Sequence, residues 1–136
     1  MKTILPSAWP DAGNLFLRVG TGAAMVAHGW LKLIGGEHVW AAVGANWAGT
    51  LGIHSTPVVW GLIVALCQTL CGALIAIGFL ARPAALVLAF VMAVAAPMAF
   101  QLSHGDFKLW SHPAEAAVTC LAIFMMGTGR FALQKS

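Results

Sequence analysis

The sequence predicts an all-α protein, a four-transmembrane-helix bundle with a short interfacial helix between the first and second spans. Three observations lead there. Hydrophobic residues make up 60% of the 136-residue chain and charged residues only 8%, with a mean hydropathy of +0.88, whereas soluble domains carry roughly 25% charge. Four apolar segments, each near the roughly 20 residues that cross a bilayer, follow one another between turn signals. Two of them carry small residues in helical register, the pattern by which helices pack closely in lipid. Four spans and their loops consume the chain, so a single integral membrane domain over 1–136 is expected. The net charge of +3 comes from few ionised groups and reports orientation in a membrane, with no nucleic-acid partner implied.

The first span is expected over 14–34. Pro6, Trp9, Pro10 and Asp11 precede it, which is not the layout of a signal peptide, so the segment reads as a retained span. Gly20, Ala24, His28 and Lys32 recur every four residues and share one face. Small residues there predict close approach of another helix, with His28 turned toward protein. Residues 35–57 are too polar and Gly-rich to cross, but 38–47 contains enough apolar residues for the interfacial helix, with Trp40 and Trp47 as anchors.

The second span is expected over 58–80. Gly61, Ala65, Gln68, Gly72 and Ala76 form one small-residue stripe with an amide at its centre. The very short Arg82-Pro83 connection predicts an antiparallel third span over 84–102, inside which Pro97 frees the Ala93 carbonyl. The fourth span is expected over 113–128. Ser111-His112-Pro113-Ala114-Glu115 reads as its start, since proline suits a first helical turn and an acid there is favoured by the helix dipole. Gly127-Thr128-Gly129-Arg130 reads as its C-cap.

Orientation follows from the basic residues: Lys2, Arg18, Arg82, Arg130 and Lys135 fall on one side, and Lys32 and Lys108 on the other. Both termini are therefore expected to be cytoplasmic, in a multi-pass protein of a bacterial-type inner membrane. The five histidines, 28, 38, 54, 104 and 112, then lie toward the outer face, with five of the six tryptophans.

Ionisable groups at membrane depth are costly and point to function. His28, Lys32, Gln68, His104 and Glu115 form a candidate ligand-binding set that narrows from the outer surface toward mid-membrane. A metal site would draw on His28, His104 and Glu115, which offer imidazole and carboxylate ligands. The same polar groups could instead hold the helices in register. Cys67, Cys71 and Cys120 sit in apolar segments, as soft metal ligands or as small hydrophobes. Nothing resembles a nucleophile with its base, a phosphate loop or a haem attachment motif.

Several short motifs recur in a recognisable order: Leu17-Arg18-Val19-Gly20, then His28-Gly29-Trp30 with Lys32-Leu33 and Gly35-Gly36, Leu51-Gly52-Ile53, Gly72 to Arg82, His112-Pro113-Ala114-Glu115, and Gly127-Thr128-Gly129-Arg130-Phe131. Together they resemble the DoxX family of small four-span membrane proteins, from about Leu15 to Leu133. One piece departs: such second spans often carry a carboxylate in an E-x-x-G-G pattern, where this chain has Gln68-Thr69-Leu70-Cys71-Gly72. The resemblance implies a membrane component of a redox system, with a quinone as the implied cofactor and a redox protein as the implied partner. A small-molecule or metal-ion binding or transport protein, a membrane scaffold for a soluble partner, and a homo-oligomer remain alternatives at this level.

Overall fold

The computed structural model describes residues 9–134, and every regular element among them is helical. The order is α1 (Trp9–Gly35), α2 (Glu37–Thr50), α3 (Pro57–Ile77), α4 (Ala81–Leu102) and α5 (Phe107–Met126). Three of these, α3, α4 and α5, are long and apolar enough to cross a membrane. The 27 residues of α1 give it the length for a core of roughly 30 Å, but its polar residues keep it out of that set by composition. Two of those residues, Asn14 and Arg18, are buried in the protein.

The hub is α3, which packs against α1, α2 and α4, while α5 packs chiefly on α4 and touches α1 lightly. The expected stripe on α3 is the packed one: Gly61, Ala65, Gln68 and Gly72 are all buried. A Cβ on Gly61 would lie 1.7 Å from the Trp40 carbonyl oxygen, and one on Gly44 would lie 1.7 Å from that of Pro57. Thus α2 and α3 cross backbone to backbone, and only glycine fits at either position.

The face of α1 differs from expectation. Its buried residues are Asn14, Arg18, Gly22, Met25 and Gly29, whereas Gly20, Ala24 and His28 are exposed. Both faces carry small residues, and the partner decides between them. Gly22 meets Gly72, where an added Cβ would come within 2.4 Å of the Gly72 carbonyl oxygen, and Gly29 meets Thr69. The tryptophans of α2 also turn inward. Trp47 is buried, stacks on Trp60 and donates its indole N–H to the Val91 carbonyl in mid-α4 at 3.0 Å. Trp40 donates to the Lys32 carbonyl at 2.9 Å. Trp47 buries its ring and Trp40 half-buries its own, and each satisfies its one donor within the protein, which a headgroup anchor would leave to lipid and water.

Helix ends shift as well. α3 stops at Ile77 because Gly78, at φ 77°, takes the left-handed cap and returns its N–H to Leu74 and Ile75. α4 starts at Ala81, with Arg82 and Pro83 inside its first turn, and runs unbroken through Pro97. α5 starts two turns ahead of Pro113. Asp106 is its N-cap, accepting the Lys108 N–H at 3.1 Å, so Pro113 is interior and Glu115 lies in the third turn.

Beyond α5 the chain folds back as a strap over 127–134. Leu133 and Gln134 donate their backbone N–H groups to the Ile77 and Gly78 carbonyls at 3.2 and 3.1 Å. Arg18, fully buried, ties this end together. Its guanidinium donates to Asn14 Oδ1 at 2.8 Å, to the Ile75 and Ala76 carbonyls at 3.2 and 3.5 Å, and to the Phe131 carbonyl. Asn14 in turn donates to the Gly127 carbonyl at 3.0 Å. Arg18 is thus a structural clamp and not a surface charge. Lys2 and Lys135, counted with it for orientation, lie outside the described residues.

Candidate functional site

The light contact between α1 and α5 leaves a cavity of about 200 Å³ at the end of the bundle that carries the histidines. α1 supplies Met25, His28 and Lys32, one turn or nearly so apart, and α3 supplies Gln68. α4 adds Met92 and Met98, and α5 closes the wall with Leu109, His112 and Pro113. The polar tip is the pair Lys32 and Gln68. Lys32 Nζ donates to Gln68 Oε1, and Gln68 Nε2 meets the Met92 thioether sulfur at 4.0 Å, a weak acceptor.

Among the described residues no carboxylate lines the cavity. Lys32 has no acidic partner among the described residues, and its backbone is pinned by the Trp40 indole. The His28 and His112 rings meet edge to face with centroids 5.0 Å apart. Pro113 has no N–H to give the Leu109 carbonyl one turn earlier, so a backbone acceptor is freed beside the cavity. The arrangement is a set of hydrogen-bond donors at the end of a methionine-walled apolar slot. Chemically it suits a ligand oxygen that accepts hydrogen bonds, carried on an apolar body.

Of the sequence-predicted residues, His28, Lys32 and Gln68 come together here. His104 does not: it sits exposed in the turn between α4 and α5, at φ 54°. Glu115 is exposed and lines the neighbouring groove between α1 and α5 together with His112. Among the described residues no group of three His, Cys, Asp or Glu is placed to hold a metal ion, so His28, His104 and Glu115 are not assembled into one. Cys67, Cys71 and Cys120 are free thiols packed into the hydrophobic core, away from the cavity lining. His38 and His54 are exposed.

The residue that sequence reasoning missed is His112. Read as a loop histidine, it lies in the second turn of α5 and faces both the cavity and the groove beside it. The Asp106 cap signal, seven residues before Pro113, is what could have placed it on a helix.

A family model described as DoxX matches residues 13–101. The chain belongs to the DoxX family. The matched stretch carries most of α1, all of α2 and α3 and nearly all of α4, and with them His28, Lys32, Gln68, Met92 and Met98. The α5 wall of the cavity, with His112 and Pro113, lies beyond it in this DoxX member. Comparison with curated proteins and with solved structures finds no match.

Proposed function

We propose that this DoxX protein is a membrane component of a redox system and that its α1–α5 cavity holds a quinone headgroup. The observation that carries the reading is the Lys32–Gln68 donor pair at the end of a methionine-lined slot with no carboxylate in it among the described residues. A quinone carbonyl accepts hydrogen bonds and carries no proton to donate, so donors without competing acids suit it. At about 200 Å³ the cavity is below the roughly 300–1,000 Å³ of sites that enclose drug-sized ligands. It has room for a ring but not for an isoprenoid tail, which would leave between α1 and α5, where the helices barely touch. The electrons exchanged with the quinone come from a partner redox protein.

In this reading α1 is the fourth crossing, its polar residues turned to protein, and α2 is the short helix between the first and second spans. The cavity opens toward the outer face of a bacterial-type inner membrane, and both termini are cytoplasmic. The test is quinone content after mild-detergent purification from native membranes. Near-stoichiometric quinone is expected in the unaltered protein and loss of it in Gln68→Leu, with His104→Ala unchanged. Absence of quinone from the unaltered protein would remove the proposal.

A further inference from the structure

α5 is the least covered of the three apolar spans, with 17% of its most apolar window buried against 33% for α3 and 28% for α4. Its open face is patterned. Ser111, Ala114, Val118, Leu121 and Met125 alternate spacings of three and four residues, which is the a/d repeat of a helix-pairing seam. Val118, Leu121 and Met125 are 69%, 46% and 72% exposed. Small residues at Ser111 and Ala114 leave a hollow of about 520 Å³ along this seam, bordered by Trp110, Glu115 and Val118.

Glu115 makes that face unsuited to lipid. At 1.5 Å per residue it lies about 12 Å from one end of α5 and about 16 Å from the other, near mid-membrane if the helix crosses. It is exposed and takes no hydrogen bond or ion pair among the described residues. A carboxyl group at that depth needs a partner. In the seam's register Glu115 is an e position and Trp110 is the preceding g position, and e and g side chains meet across a parallel two-stranded pair. The Trp110 indole N–H also finds no acceptor among the described residues, its ring packing on Phe100 and Phe107.

We propose that a second copy of this chain docks on α5 about a two-fold axis along the membrane normal. Such an axis sets the two α5 helices parallel and in register, so Trp110 at g of each copy reaches across about 7.5 Å of rise to donate to Glu115 at the following e of the other, and Ser111, Ala114 and Val118 pack at the crossing. The face is self-complementary because donor and acceptor flank one seam, which is the requirement of an isologous interface. The arrangement is independent of what the α1–α5 cavity binds.

The full-length chain, fluorescently tagged and reconstituted in liposomes, tests this by photobleaching-step counting across a dilution series. Two-step particles are expected, and Trp110→Phe should raise the dissociation constant at least about tenfold, since it removes two symmetric intramembrane hydrogen bonds. Oxidation should cross-link Ala114→Cys and Val118→Cys chains to dimers, each read against the unsubstituted protein, while Phe90→Cys on the exposed face of α4 should not link. Single-step particles at every dilution would overturn the proposal, as would equal cross-linking at Phe90. A dimer indifferent to Trp110→Phe would overturn the pairing with Glu115.

Discussion

Replacing Arg18 with lysine should release the C-terminal strap while leaving the cavity at the other end of the bundle in place. The guanidinium serves four acceptors on three separate parts of the chain: Asn14 on α1, the last turn of α3, and Phe131 in the strap. An ammonium has one nitrogen at the tip of its stem and cannot span the fork-shaped set, so at least two acceptors are left without their donor. Each buried acceptor stranded in this way costs roughly 1–3 kcal/mol, so the loss of two in Arg18→Lys should destabilise by about 2–6 kcal/mol. The loss should be local. In hydrogen exchange, amides at Leu133 and Gln134, which bond to Ile77 and Gly78, should lose protection before those of mid-α3. A denaturing-detergent titration gives the global figure. Unchanged stability together with unchanged protection at Leu133 would refute the clamp and return Arg18 to the role of an orientation charge.

Gly44→Ala and Gly61→Ala should each cost about 1–3 kcal/mol or prevent folding, because the added methyl meets backbone that cannot turn away. Gly20→Ala, where nothing lies within 4 Å of the new methyl, should be close to neutral by the same detergent titration. Reporter fusions after Ser136 should show a cytoplasmic reporter active and a periplasmic phosphatase inactive, with the reverse pattern after Gly52; a swapped result would invert the proposed orientation.

The helical class was legible because composition and segment length leave few alternatives, and Gln68 was legible because Gly61, Ala65 and Gly72 place it on a face that only a neighbouring helix could cover. α1 was ambiguous for a physical reason. Gly20 and Ala24 mark one face as small, Gly22 and Gly29 mark another, and a sequence does not say which one α3 meets. The start of α5 was obscured by Pro113, whose preference for a first turn competes with the Asp106 cap upstream. Misplacing that start made His112 a loop residue and put Glu115 at a helix head, when one lines the cavity and the other faces outward in mid-helix. Arg18 was counted only toward orientation because its acceptors are mainly backbone carbonyls from distant segments, and these carry no mark in a sequence.

The central claim, that the cavity between α1 and α5 takes a quinone headgroup at Lys32 and Gln68, is tested most directly by photolabelling the reconstituted protein with an azidoquinone and mapping the modified peptides. Label is expected on the α1 segment from Met25 to Lys32 and on the α5 segment from Leu109 to Pro113. It should be displaced by unlabelled quinone and lost in Gln68→Leu. Label concentrated instead on the outer apolar groove of α4 and α5, around Phe90 and Val118, or insensitive to both competitor and substitution, would contradict the account.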